Sequence, residues 1–257
     1  MPAVAALAPG ADALQHLRRS LPPGGPWSLV RCPATPHLER ALRTRLVDAV
    51  VFSPAATPLV ALAPLRGAFP EVPWIAFAPF RPDDGQLLSE CREARVALVL
   101  VEGVDGVVAG ELVVRHSAAA ERRAALADAP RVLRLAESLQ REVWHYLLDR
   151  VDQPIRTATL ARELGCSREH LSRQFGAGGA PNLKRVIDLT RVACAASLLR
   201  NPGYDTATVA RILRFATASH LSATARRIAG VSTRGLAGLG PRGVLAHFSR
   251  GKTRSRL

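Results

Sequence analysis

Through the first 118 residues, short apolar runs alternate with stretches in which leucine and alanine recur every three or four positions. The apolar runs have the length of buried strands, and the recurring positions form one apolar face of a helix. We predict five strands: Ala3–Leu7, Trp27–Cys32, Ala49–Phe52, Trp74–Phe77 and Ala97–Val101. Because strands that alternate with helices build parallel βαβ units, this part of the chain is predicted to be an α/β domain.

Beyond residue 118 the pattern is helical throughout. Residues 119–140 are predicted to be a helical linker, which Pro130 interrupts. An apolar stripe after the proline predicts one helix from about Arg131 to Val151. A second long helix is predicted from Asn182 to Asn201, where an Asn-Pro-Gly sequence ends it.

Two segments on either side of the second long helix share the outline of a helix-turn-helix motif. In the first, TATLARELGCSREHLSRQF (Thr157–Phe175), Gly165 permits a sharp turn between two short helices that Thr157 and Ser167 can cap. The second, TATVARILRFATASHLSATARR (Thr206–Arg227), repeats the pattern. A helix that turns one polar face to solvent after such a turn is typical of DNA-binding proteins.

The positive charge of the chain is concentrated in its C-terminal half. Residues 131–257 carry 22 Lys and Arg against 8 Asp and Glu, whereas residues 1–130 carry 13 of each kind. Cationic side chains displace the counterions condensed on nucleic acid, so the basic half is predicted to bind a polyanion. Double-stranded DNA is the preferred candidate for this partner.

The cysteines and histidines give no sign of a metal or cofactor site. The four cysteines, Cys32, Cys91, Cys166 and Cys194, are far apart, with no CxxC pair and no histidine at zinc-ligand spacing. We predict reduced thiols in a cytoplasmic protein. The first residues lack a basic segment, and the most apolar run, Val96–Val114, holds three carboxylates. Neither a signal peptide nor a membrane span is therefore predicted.

Residues 141–248 resemble the DNA-binding domain of AraC/XylS-type transcription regulators. The resemblance is carried by SREHLSRQF in the first motif, RVACAASLL in the connecting helix, and ARILRF, SHLS and AGVSTRGL in and after the second motif. It implies a seven-helix domain, placed here at residues 141–250, that binds promoter DNA in a sequence-specific manner. Residues 251–257 are predicted to be a disordered basic tail that contacts DNA nonspecifically.

The resemblance assigns base-facing positions to the second helix of each motif. Carried over position by position, these are Glu169, Ser172, Arg173, Ala218, Ser219, Ser222 and Ala223. Arg173 can donate to guanine O6 and N7, and Glu169 can accept from cytosine N4. Three further arginines, Arg168, Arg226 and Arg227, are predicted to bind phosphates.

The second motif departs from the AraC/XylS pattern at several positions. Arg214 stands where the family usually has glycine, Ala223 where it has an arginine, and Leu221 and Ala225 where it has aromatic anchors. The second motif is therefore expected to make fewer base contacts and to bind mainly through DNA shape and backbone. In the first motif, Phe175 is predicted to anchor its helix inward.

The order and lengths of the N-terminal elements resemble the receiver domain of bacterial response regulators, and they fit an α/β flavodoxin-like fold over residues 1–118. The sequence VDAVVFSP is similar to the third strand of that family. A receiver that accepts phosphate needs carboxylates after its first and third strands and a lysine after its fifth. Here these strands run into Ala8-Pro9-Gly10, Ser53-Pro54 and Glu102-Gly103. We therefore predict a pseudo-receiver that is not switched by phosphorylation.

These observations favour a bacterial transcription regulator, not an enzyme, that reads two successive major grooves with its two motifs. The N-terminal domain is a candidate for pairing two copies of the chain. Two alternatives remain open. One is a regulator with a catalytic, DJ-1-like N-terminal domain that uses Cys32 or Cys91 as nucleophile. The other is an architectural nucleic-acid binder without sequence preference.

Overall fold

The computed structural model describes residues 2–23, 25 and 27–251. The chain divides into two compact units. The first extends to Glu121 and includes Asn201–Gly203, and the second comprises the rest of the described chain. Most of the segment 119–140, which the sequence predicts to be a linker, belongs to the second unit.

Within the described residues, the first unit is a parallel sheet of five strands with helices between them. Its strands are β1 (Ala3–Leu7), β2 (Ser28–Cys32), β3 (Val47–Phe52), β4 (Trp74–Ala78) and β5 (Leu98–Val101). Its helices are α1 (Ala11–Ser20), α2 (Thr35–Thr44), α3 (Leu59–Ala68), α4 (Gly85–Glu93) and α5 (Ala109–Arg115). The strand order β2-β1-β3-β4-β5, with every pairing parallel, is that of flavodoxin-like folds. The predicted fold class of this domain is confirmed.

The core of the first unit forms around its three middle strands. Every residue of β1, β3 and β4 is buried, as expected of parallel strands that have helices over both faces of their sheet. Leu17 of α1 and Val113 of α5 are fully buried in the same cluster. The strand residues of that cluster are Val4, Ala49, Val51, Ile75, Phe77 and Leu100.

The second unit is helical throughout its described part. After α6 (Ala118–Ala125), which spans the division between the units, come α7 (Ala129–Val132), α8 (Ser138–Asp149), α9 (Thr157–Glu163), α10 (Arg168–Gly176), α11 (Leu183–Leu198), α12 (Thr206–Ile212), α13 (Ala218–Ala229) and α14 (Thr233–Gly251). The seven helices α8 to α14 agree with the number that the AraC/XylS resemblance implies.

The single helix predicted from about Arg131 to Val151 is wrong, because α8 begins only at Ser138. Arg134 has a φ of 56°, a left-handed conformation that interrupts a right-handed helix. Glu137 then caps α8 in a capping box, in which the Gln140 side chain accepts a hydrogen bond from the Glu137 amide at 3.1 Å. An apolar stripe indicates which positions face a core, but not where the backbone leaves the helix.

Helix α11 is the centre of the second unit. It contacts α8, α10, α12, α13 and α14, and 12 of its 16 residues are buried. Asn182 caps its start by accepting a hydrogen bond from the Arg185 amide at 2.9 Å. The helix ends at Leu198, three residues before the predicted end at Asn201. Because α11 contacts both motifs, it holds them on one core.

Helix α14 changes direction near its middle. Gly240 has a φ of 61°, and Pro241 follows it inside the helix. Gly251, assigned by sequence to the disordered tail, is the last residue of α14. The rest of the predicted tail lies outside the described residues.

Candidate nucleic-acid interface

The first motif consists of α9, a turn and α10. Ser167 caps α10 as predicted, because its Oγ accepts a hydrogen bond at 3.1 Å from the amide three residues later. The predicted capping role of Thr157 is wrong, since Thr157 is the first residue of α9 and Arg156 occupies the cap position. Leu171 and Phe175 are buried, as expected of inward anchors. The opposite face of α10 is therefore presented to solvent.

The turns of the two motifs share a left-handed residue and the hydrogen bond that follows it, although the second turn is one residue longer before the cap of the next helix. Gly165 has a φ of 64° and Arg214 a φ of 58°, so both occupy the left-handed region. The amide after each of them donates to the carbonyl five residues earlier. These bonds are Cys166 to Ala161, 2.9 Å, and Phe215 to Ala210, 2.8 Å. The glycine permits the first turn as predicted, whereas the arginine adopts this conformation at a cost of about 1 kcal/mol.

Helix α10 exposes the four side chains that the sequence assigns to DNA. Arg168, Glu169, Ser172 and Arg173 are all exposed. Glu169 and Arg173 lie four positions apart on one face of the helix, yet no ion pair joins them within the described residues. The helix thus presents a guanidinium fork and a carboxylate side by side.

Helix α13 presents a face of different chemical character. Ser219 and Ala223 are exposed, and Ala218 and Ser222 are partly exposed. The Ser222 hydroxyl donates to the Ala218 carbonyl at 3.0 Å, so it is turned back toward its own helix. Among the predicted base-facing residues, only α10 therefore carries charged groups.

The two arginines that follow on α13 are in different environments. The Arg227 guanidinium donates to the carboxylate of Asp188 in α11 at 2.8 Å, and the Asp188 side chain is only 11% exposed. This pairing favours a role for Arg227 in orienting α13. Arg226 is exposed and forms no ion pair within the described part of the chain.

A constant offset of 50 residues relates the two solvent-facing helices. Their cap residues, Ser167 and Thr217, each accept a hydrogen bond from the amide three residues later. The anchors Leu171 and Leu221 are both 0% exposed. In this register the matched positions are Arg173 with Ala223, Glu169 with Ser219, and Ser172 with Ser222. The second helix therefore presents a methyl group where the first presents a guanidinium, and a hydroxyl where the first presents a carboxylate.

Gln140 of α8 secures the end of α10. It is only 1% exposed, and its Nε2 donates to the carbonyls of Gln174 at 3.0 Å and Phe175 at 3.4 Å. Carbonyls at the C-terminal end of a helix lack partners within it, so this side chain supplies them. Sequence reasoning missed this role. The only available signal was the capping-box spacing from Glu137, which points to the start of α8.

Arg191 of α11 secures the turn of the second motif. Its Nε and Nη2 donate to the Leu213 carbonyl at 3.0 and 2.6 Å, and Nη2 also donates to the Arg214 carbonyl at 2.6 Å. Its guanidinium lies 4.6 Å from the centre of the Phe215 ring. Burial lowers the pKa of Arg191, and the Asp188 carboxylate opposes that shift. Sequence reasoning missed Arg191 as well.

Polar caps and a ring contact fix the remaining ends of the second motif. Asp205 caps α12 by accepting a hydrogen bond from the Thr208 amide at 2.6 Å, and that bond holds the pKa of Asp205 below its usual value. The Phe215 ring packs edge-on against His220 of α13, with 5.5 Å between ring centres. The turn is thereby held from α11 on one side and from α13 on the other.

The N-terminal unit offers little support for nucleophilic chemistry. Cys32 and Cys91 are buried, and burial raises the pKa of both thiols. Because the thiolate is the nucleophilic form, burial disfavours the reactive state of both groups. Within the described residues, no three His, Cys, Asp or Glu side chains are grouped so that they could hold a metal ion. Strands β1, β3 and β5 end immediately before Ala8, Ser53 and Glu102.

Comparison with known proteins identifies the second unit. A family model described as a helix-turn-helix domain matches residues 160–236, from α9 into α14. None of the curated proteins matches the chain. Among solved structures, full-length FixJ from B. japonicum is similar at 14% sequence identity, with 88% of this chain and 96% of that chain covered and a TM-score of 0.39. That superposition is too loose to carry a conclusion about this chain.

The matched domain defines the protein as a DNA-binding transcription regulator. Its helix-turn-helix domain, at residues 160–236, is of the AraC type, which confirms the resemblance found in the sequence. Among the described residues, none of the helices combines the length and the hydropathy that a membrane span requires.

Proposed function

We propose that the protein is a sequence-specific regulator whose two motifs insert α10 and α13 into successive major grooves, roughly 34 Å apart along the duplex. The observation that carries this proposal is the equivalence of the two motifs. Each has a left-handed turn, the same backbone hydrogen bond after it, and a capped helix with one side that faces solvent. The net positive charge of residues 131–257 supports the proposal, because it attracts the DNA phosphates.

We assign different roles to the charged residues of this interface. Arg173 forks to guanine O6 and N7, and Glu169 accepts from cytosine N4. Arg168 and Arg226 bind phosphates, because both are exposed and neither forms an ion pair within the described residues. Arg227 orients α13 through its carboxylate partner on α11. The serines and alanines of the base-facing set complete the surface that meets the groove.

Replacing Arg173 by alanine is expected to relax the preference for one base pair, at a cost of about 1–3 kcal/mol in discrimination. Replacing Arg226 by alanine is expected to weaken binding to every duplex about equally, and to lower the slope of log K against log salt by about 1. The measurement is competition binding of the full chain at several salt concentrations. It compares a duplex selected from a random pool with unselected DNA.

The matched control for this experiment is Arg18→Ala. Arg18 is an exposed residue of α1 in the first unit, and its loss removes the same charge from outside the DNA-binding unit. It should change neither the base preference nor the salt slope. If Arg173→Ala and Arg226→Ala behave identically against unselected DNA, the role assignment is wrong. Equal affinity for selected and unselected duplexes would favour the architectural alternative.

We also propose that the N-terminal unit regulates the DNA-binding unit without accepting phosphate, in the cytoplasm where the DNA lies. The absence of carboxylates immediately after β1 and β3 supports this proposal, since phosphate transfer needs them to hold a divalent cation. Incubation of the full chain with a small phosphodonor should therefore leave its mass unchanged. A gain of one phosphate on an N-terminal aspartate would contradict the proposal.

Pairing of two chains through the N-terminal unit is the last part of the proposal. The large hydrophobic side chains that are exposed in the described residues all lie in this unit: Val60, Leu88, Val104, Val107 and Val108. Three of them fall within five consecutive residues, and clustered exposed apolar groups mark interaction surfaces. Sedimentation of the full chain over a range of concentrations measures whether it pairs.

A further inference from the structure

Helix α13 carries methyl groups where α10 carries charges. Ala223 is exposed at the position that corresponds to Arg173, and Ala218 is partly exposed at the start of the helix. The Ser222 hydroxyl is already engaged with the Ala218 carbonyl at 3.0 Å. The predicted base-facing set of α13 thus offers two methyl groups and the exposed hydroxyl of Ser219, with neither a donor fork nor a carboxylate.

The four base pairs present different groups to such a surface. Thymine is the base that carries a 5-methyl group in the major groove, and an alanine side chain can contact it. A G·C pair presents the acceptors of guanine and the donor of cytosine at the same place. Those polar groups would lose water against a methyl group and gain no hydrogen bond in return. An A·T pair also presents polar groups there, but its thymine methyl group gains an apolar contact that a G·C pair cannot offer, so a surface of methyl groups favours A·T pairs.

The orientation of α13 is restricted before DNA binds. Thr217 caps its start, the pair of Arg227 with Asp188 joins it to α11 at 2.8 Å, and His220 packs against the ring of the preceding turn. A helix held at both ends can bring one methyl group to a fixed depth in the groove. Specificity from so small a contact depends on this restriction.

We infer that Ala223 reads a thymine in the DNA segment that the second motif contacts, and we call the segment contacted by each motif its box. One box contains a G·C pair that Arg173 and Glu169 read, and the other, about one helical turn away, contains a thymine whose 5-methyl group contacts Ala223. This inference rests on the proposed function. It goes further than binding through shape and backbone, because it makes Ala223 a specificity-determining residue for the second box.

The test uses the full chain and a duplex that it selects from a random pool. The box of the first motif is identified as the one whose base preference relaxes in Arg173→Ala. Each thymine of the other box is then replaced by deoxyuridine, which removes the 5-methyl group and keeps the base pairing. At the contacted thymine we expect an affinity loss of about fourfold, which corresponds to the free energy of burying one methyl group. The same replacement in the first box should have no effect.

Three variants assign the methyl contact to one residue. Ala223→Gly removes the partner methyl group and is expected to bind the thymine and deoxyuridine duplexes equally. Ala207→Gly makes the same backbone change at an exposed position of α12, and it should keep the discrimination. Ala223→Arg introduces at α13 the residue type that α10 has at the matched position, Arg173. It is expected to shift the preference of the second box toward G·C pairs.

The outcomes separate this inference from the function on which it rests. A second box without thymine, a deoxyuridine duplex bound as tightly as its parent, or an Ala223→Gly variant that still discriminates would overturn the inference. Each of these results leaves sequence-specific binding by the two motifs intact. A chain that selects no duplex from the pool contradicts the proposed function itself.

Discussion

Replacing Phe175 by alanine is expected to lower the free energy of unfolding of the DNA-binding unit by about 3–5 kcal/mol. The side chain is 1% exposed near the C-terminal end of α10, where it anchors the helix to the core. Its removal takes away a buried ring and leaves a cavity that the surrounding helices fill only in part. Because domains are stable by only about 5–15 kcal/mol, this is a large share of the total.

Two measurements check the Phe175 prediction. Urea unfolding gives the decrease in the free energy of unfolding of the whole unit, and native-state hydrogen exchange gives the decrease at the amides of α10. Phe175→Leu keeps most of the volume and should cost less than about 1.5 kcal/mol. Ala225 is the matched residue of α13 and is 0% exposed, so Ala225→Gly should cost far less than Phe175→Ala. A Phe175→Ala chain as stable as its parent would show that the ring is no anchor.

The strands of the N-terminal unit could be predicted because burial on both faces leaves a continuous apolar run. Strand β1 has the predicted bounds, and β4 begins at Trp74 as predicted. Strand β3 begins at Val47, two residues earlier than predicted, because Asp48 interrupts the apolar run although it is fully buried. Hydrophobicity locates a buried strand, but it cannot find a polar residue that the fold has placed inside the sheet.

The solvent-facing side of α10 could be predicted from helical periodicity, because its outward positions follow once Leu171 and Phe175 are assigned to the core. The corresponding positions of α13 were predicted from the resemblance to AraC/XylS-type regulators. The left-handed turn at Gly165 could be predicted from its residue type. The turn at Arg214 could be located only through the repeat, because arginine by itself gives no sign of a positive φ.

Contacts between side chains and distant main-chain groups could not be predicted. Gln140 lies 34 residues from Gln174, whose carbonyl it holds, and Arg191 lies 22 residues from Leu213. The residue type alone does not distinguish an arginine that is packed against carbonyls from one that is exposed to solvent. These contacts depend on where the helices meet, which a local pattern does not encode.

Replacing Arg191 by alanine is expected to lower the free energy of unfolding of the same unit by about 3 kcal/mol, because two carbonyls lose their partner and the ring loses its cation. The carbonyls belong to Leu213 and Arg214, at the end of α12 and in the turn. The contact also offsets the cost of the left-handed conformation at Arg214. Without it the turn can relax, and α13 loses the orientation that the second box requires.

The loss of stability in Arg191→Ala should be confined to the second motif. Hydrogen exchange is expected to accelerate at the amides of α12 and α13, whereas α10 should keep its protection, since Gln140 holds that helix separately. Arg191→Lys keeps the charge, but an ammonium group cannot span two carbonyls and a ring face, so an intermediate effect is expected. Lys184→Ala is the control, because Lys184 is an exposed cation of the same helix.

A second substitution tests whether Arg191 acts through the turn. Glycine adopts a positive φ without the cost that a side chain incurs, so adding Arg214→Gly to Arg191→Ala should recover about 1 kcal/mol. It should also restore part of the protection of α13. Equal loss of protection in α10 and α13, or no recovery in the double variant, would mean that Arg191 supports the core of the unit in general. In that case the geometry of the second turn would depend on the packing of Phe215 and on the helix caps at Asp205 and Thr217.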